Sequence, residues 1–127
     1  MTIDKPSRGM FLLLLATVLY LTLMPSPPHV ELDDLPYGDK IEHFLAFGAL
    51  AVAARLGFPR MSGWRVLERL SFLGAMIEVV QGSPGLQRDC DWRDWAADTM
   101  GVLVALATVR MLYILYRSLQ PRRATLH

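Results

Sequence analysis

The sequence predicts an all-α integral membrane bundle of four transmembrane helices with both termini cytoplasmic. Three observations lead there. Charges are sparse in four blocks, roughly 9–24, 44–58, 70–80 and 95–116, and crowd between them. The first block, "GMFLLLLATVLYLTLM", is free of charge over 16 residues. The bases also collect on one side of the resulting topology. Overall, 53% of residues are apolar and 20% charged, averages that would suit a soluble domain and hide this segregation. At 127 residues the chain has room for a single domain, 1–127.

The spans are expected near 9–25, 41–58, 64–82 and 93–117. As a helix the first block would extend about 24 Å, slightly short for a bilayer core. Lys5 and Arg8 precede it, as in a signal peptide, but "PSPP" follows where a small-x-small cleavage site would stand. A retained first span is therefore expected. The next segment, "PSPPHVELDDLPYGD", reads as an extended, acidic outer loop. The second span opens on "DKIEHFLAFGAL", where charge gives way to apolar residues within one helical turn.

The third span carries Glu68, Arg69 and Glu78, and alone it could belong to a soluble bundle; its neighbours place it in the membrane. Glu68 and Arg69 are near one end and can reach the headgroups, as Arg110 can in the last span. Glu78 has no such escape. Before the fourth span, Asp91 suits an N-cap with Asp94 at the capping-box position, so a helix is expected from near Trp92. Trp92 and Trp95 then fall where interfacial aromatics sit.

With four spans, Lys5, Arg8, Arg55, Arg60, Arg65, Arg69, Arg110, Arg117, Arg122 and Arg123 share a side, against Lys40, Arg88 and Arg93. The positive-inside rule makes the basic side cytoplasmic. Glu31, Asp33, Asp34, Asp39, Glu42, Glu78, Asp89, Asp91, Asp94 and Asp98 face outward, and only Asp4 and Glu68 inward. The net charge of +1 is thus the sum of two opposed poles. This argues against nucleic-acid binding; anionic lipid accounts for the basic rim. The single cysteine, Cys90, lies in the second outer loop and cannot form an intramolecular disulfide. His29 and His127 read as solvated.

Candidate site residues follow from helical spacing. Asp39 and His43 share one face, with Lys40 beside it. Glu78 and Gln81 stand at the outer end of the third span. In "RDCDWRDWAADTMG", Arg88 leads into Asp91, Asp94 and Asp98, which fall on one face with Gly101. His43, Glu78 and Asp98 should lie about 5 to 6 Å below the outer boundary, on three helices at one level. Exposing one ionised group to lipid costs roughly 2.5 to 3.5 kcal/mol, so the three should turn inward. Small residues would let the helices approach: Ala97, Gly101 and Ala105 on the fourth span, Ser71 and Ala75 on the third, and Ala49 and Ala53 on the second.

Three separated motifs, "DKIEH" with its following "FLAF", the "E..Q" of Glu78 and Gln81, and "R..D..D...D..G" from Arg88 to Gly101, resemble those of the VanZ-like family of small bacterial membrane proteins. The resemblance covers about 39–101, with the first span similar only in character. Many members carry asparagine where this chain has Asp98, which here adds a possible negative charge. The resemblance implies a multi-pass protein of the bacterial cytoplasmic membrane, from a family named for an association with teicoplanin resistance. It marks Asp39, Lys40, His43, Glu78, Gln81, Arg88, Asp91, Asp94 and Asp98 as a site without assigning catalytic roles.

Three functions fit such a cluster. It could fix helix register as a buried polar network, although buried ion pairs are seldom a strong source of stability and nine groups exceed what register needs. It could bind the headgroup of a membrane lipid or lipid-linked envelope precursor, with Arg88 and Lys40 holding phosphate or carboxylate. Or it could be a hydrolase or transferase, with His43 as general base, Glu78 or Asp98 orienting it or acting as acid, and Arg88 steadying an oxyanion. No nucleophile elbow or HExxH helix is present. Oxygen ligands would suit Mg²⁺ or Ca²⁺, but no dedicated metal motif occurs, so neither metal nor cofactor is predicted. A proton path across the bundle is not expected, because the titratable groups stop near one face.

Overall fold

The computed structural model describes residues 5–25, 29–86 and 89–121, giving backbone only at 32 and 33. Four helices follow one another: α1 (Lys5–Leu23), α2 (Gly38–Gly57), α3 (Gly63–Gln81) and α4 (Trp92–Leu119). There is no strand among the described residues. The predicted all-α class and the number of helices are both found. Two helices, α1 and α4, are long and apolar enough to cross a membrane by length and composition. The other two have charges spread along them: Asp39, Lys40, Glu42 and Arg55 in α2, and Arg65, Glu68, Arg69 and Glu78 in α3.

Local chemistry sets the helix ends. The loop before α2 was expected to be extended. Instead Glu31–Asp34 winds into a short 3-10 turn, with His29 Nε2 3.3 Å from Asp34 Oδ1. Tyr37 then takes the left-handed conformation (φ 60°), unusual outside glycine and asparagine, and reverses the chain into α2. Its carbonyl accepts from the Ile41 N–H, so the first turn of α2 grows directly from that strained residue. Ser62 caps α3 by accepting from the Arg65 N–H at 3.3 Å, and Asp91 caps α4 by accepting from Arg93 N–H at 3.0 Å.

Side chains show how the ends pair. Arg8 Nε donates to the Gly57 carbonyl at 3.1 Å and its guanidinium lies over the Phe58 ring, joining the start of α1 to the turn between α2 and α3. Arg55 donates to the Met61 carbonyl and closes that turn. At the other end, Gln81 Nε2 donates to the Thr22 carbonyl at 2.7 Å, joining the ends of α3 and α1. The helices therefore alternate in direction, with α2 and α4 parallel.

The core forms around α2, from Phe47, Leu50, Ala51 and Ala54 against Val18, Val66, Leu70, Ile77 and Val102. The α2–α4 crossing is the closest. A Cβ at Gly101 would run into the Phe44 carbonyl, and one at Gly48 would reach 3.4 Å from the Gly101 oxygen. Of the small residues anticipated on α2, Ala53 is buried while Ala49 faces outward, and Gly48 makes the close approach instead. Ser71 Oγ and Thr99 Oγ1 pair at 2.9 Å between α3 and α4. The sides of the bundle are apolar and exposed, including Leu13, Phe72, Val79 and Leu112, and the last turns of α4 project beyond their neighbours.

Candidate functional site

The start of α2, the end of α3 and the start of α4 meet at one end of the bundle and bring their charged side chains together. Lys40, in the first turn of α2, bonds its sequence neighbour Asp39 and Asp91 Oδ2, the latter at 2.9 Å. Its Nζ is also 2.8 Å from Asp94 Oδ1, as an ion pair without the alignment of a hydrogen bond. One helical turn deeper, His43 Nδ1 lies 2.8 Å from Asp98 Oδ1, while Nε2 faces Asp94 Oδ2 at 3.6 Å. Asp98 is fully buried.

Glu78 arrives from α3, only 4% exposed. Its Oε2 accepts the Asp91 N–H at 3.0 Å, whereas Oε1 is buried without a hydrogen-bond partner. The bond to Asp91 corrects the expected capping box. Asp91 does cap α4, but the reciprocal partner of its N–H is Glu78 of another helix, not Asp94 three residues on. Freed from that duty, the Asp94 carboxylate turns to Lys40 and His43. This substitution turns a local helix-start motif into a joint between α3 and α4.

The second oxygen of Asp98 is also buried and unpaired, and it points at α3. A Cβ at Gly74 would stand 2.7 Å from it. Only glycine leaves room for that carboxylate, so Gly74 belongs to the site although it carries no functional group. Nothing in the local sequence pattern marks it.

The outer residues, ahead of the apolar part of α2 and the start of α4, have displaced titrations. Partial burial opposes ionisation of Asp39, but the hydrogen bond and charge of Lys40 outweigh it and hold the carboxyl below its ordinary value. For Asp91 the hydrogen bond from Lys40 leads, followed by the Arg93 N–H, and again the value falls. Desolvation alone would lower Lys40; the three carboxylates around it raise it. All three groups are ionised at neutral pH.

Of the nine residues marked in the sequence, Asp39, Lys40, His43, Glu78, Asp91, Asp94 and Asp98 form this assembly. Gln81 is buried beside it but is spent on the Thr22 carbonyl. Arg88 lies outside the described residues. Among the described residues, five carboxylates stand around Lys40 and His43. Chemically, Asp98 orients the His43 ring as an acid orients a general base, and Nε2 and Glu78 Oε1 are left to act on something else. No family model, curated protein or solved structure matches this chain.

Proposed function

We propose that this chain is a VanZ-like, four-span protein of the bacterial cytoplasmic membrane, with both termini cytoplasmic, whose polar cluster binds the headgroup of a lipid or lipid-linked envelope component at the outer leaflet. The observation that carries the reading is a buried set of ionisable groups at one end of a bundle whose sides are apolar and open. In water those sides would be a severe aggregation liability; in a bilayer they are the ordinary surface. Among the described residues, eight bases, Lys5, Arg8, Arg55, Arg60, Arg65, Arg69, Arg110 and Arg117, lie toward the opposite end. That asymmetry supports an outward-facing cluster.

A scaffold gains little from desolvating so many charges, which favours a binding role over a purely structural one. Among the described residues the carboxylates outnumber the bases of the cluster, which favours an amine-bearing headgroup or a phosphate reached through a cation. The test is native mass spectrometry of the protein purified from its own membranes. The wild type should retain a defined lipid that His43→Ala and Lys40→Ala lose while remaining folded. A folded wild type without a specific lipid would refute the reading. The Asp98–His43 pair favours a second reading, a hydrolase or transferase with His43 as base, which would show turnover of that lipid abolished by His43→Ala.

A further inference from the structure

We infer that His43, Glu78 and Asp94 form a binding site for one divalent transition-metal cation of the zinc or manganese type. One donor atom from each residue lies within 4.8 Å of the other two, although the residues come from three different helices. The inference rests on this donor geometry and does not depend on the headgroup reading.

Each residue has one atom held by the protein and one left over. His43 Nδ1 is engaged by Asp98 and leaves Nε2. Glu78 Oε2 is engaged by the Asp91 N–H and leaves Oε1. Asp94 Oδ1 is engaged by Lys40 and leaves Oδ2, already 3.6 Å from His43 Nε2. This is the pattern of a metal site, in which outer groups fix the tautomer and orientation of the ligands; a carboxylate on the far nitrogen of a ligating histidine is one recurrent form. Glu78 supplies the independent pointer. It is 96% buried, its Oε1 has no hydrogen-bond partner, and a carboxylate so placed needs a cation or a proton.

Distance and charge both fit. Ligands about 2.0 to 2.2 Å from a common ion are about 3 to 3.5 Å apart, so donors within 4.8 Å of one another would close by at most about 1.3 to 1.8 Å. Lys40 offsets one of the charges of Asp39, Asp91 and Asp94, all three of which it contacts. Among the described residues the five carboxylates then exceed Lys40 by four charges, and a divalent ion held by a neutral His43 would offset two of them. The imidazole sets the class, since Mg²⁺ and Ca²⁺ prefer all-oxygen shells whereas zinc and manganese accept nitrogen with carboxylates. The sequence marks all three residues as part of a site, but spread from 43 to 94 they match no contiguous metal-binding motif.

The full-length protein, purified in detergent, stripped with chelator, reloaded with Zn²⁺ and dialysed, should retain a single Zn²⁺ per chain by mass spectrometric metal analysis. Glu78→Gln, Asp94→Asn and His43→Ala should abolish retention, and Asp98→Asn should weaken affinity about 10- to 100-fold as the loss of an orienting group does. Zinc absorption spectroscopy of the wild type should find imidazole in a nitrogen and oxygen shell at about 2.0 to 2.1 Å. A wild type that holds no zinc above the buffer, a shell without imidazole, or folded variants that bind as well as the wild type would each overturn the site. If the variants do not fold, the wild-type spectrum decides.

Discussion

His43 and Asp98 are 55 positions apart in sequence, yet Nδ1 and Oδ1 meet at 2.8 Å inside the bundle. That pair fixes the depth at which α2 and α4 cross and leaves the other histidine nitrogen open. Removing its acid therefore tests packing and polarity together. Asp98→Ala should lower stability by about 3 to 5 kcal/mol, the cost of stranding one partner of a buried pair. Asp98→Asn, which keeps an acceptor for Nδ1–H, should cost less than half as much. Melting in detergent distinguishes the two, and equal losses would show that the hydrogen bond is unimportant.

Gly74 controls the same carboxylate from α3. Gly74→Ala should cost about 1 to 3 kcal/mol by overpacking and displace Asp98 from His43. Gly101→Ala should be worse, because its Cβ would meet the rigid backbone of Phe44. Gly63→Ala is the control: nothing lies within 4 Å of its Cβ, so melting should change little or rise slightly.

Gln81 should separate from the cluster. Gln81→Ala removes the donor to the Thr22 carbonyl in a buried setting and should cost about 1 to 3 kcal/mol, while lipid and zinc retention by the folded fraction stay at wild-type levels. Loss of either ligand from folded Gln81→Ala would return this residue to the site.

Asp91 gives a pH dependence with a definite sign. Its folded value lies below the ordinary 3.8, so its contribution is complete above about pH 4 and disappears as pH falls through the folded value. The wild-type melting temperature should drop on acidification in that window. In Asp91→Asn this component should be absent and the profile flatter. Parallel profiles would mean that Lys40 does not hold Asp91 in solution.

Cys90 is exposed beside the polar end and reports orientation. In spheroplasts it should react with a membrane-impermeant maleimide. Protection until the membrane is permeabilised would place the cluster on the cytoplasmic side and contradict the proposed topology.

Much of this architecture was legible along the chain. Charge spacing located four helices, the i, i+4 arrangement of Asp94 with Asp98 set the inward face of α4, that of Asp39 with His43 aligned an exposed acid with a half-buried histidine, and Asp91 announced the start of α4. Such features depend on one helix at a time. The bond from the Asp91 N–H to Glu78, the seat of Asp98 over Gly74 and the diversion of Gln81 to Thr22 depend on how two helices cross, and crossing angle is not written in the spacing of either. Similarly, Gly48 lies beside Ala49, and a rotation of one residue around α2 decides which of the two meets α4.

The length of α4 has a consequence for where this protein can reside. Trp95 and Tyr113 are 18 residues apart, or about 27 Å along the helix, close to the thickness of a bilayer's hydrocarbon slab. In the proposed topology these two aromatics would mark the upper and lower waterlines on a single rod. Arg117 lies over the Tyr113 ring at 5.9 Å and would anchor the lower one. A thicker lipid mixture would pull Tyr113 and Arg117 into oil; a thinner one would force the rod to lean, carrying its acidic tip, and whatever that tip holds, sideways.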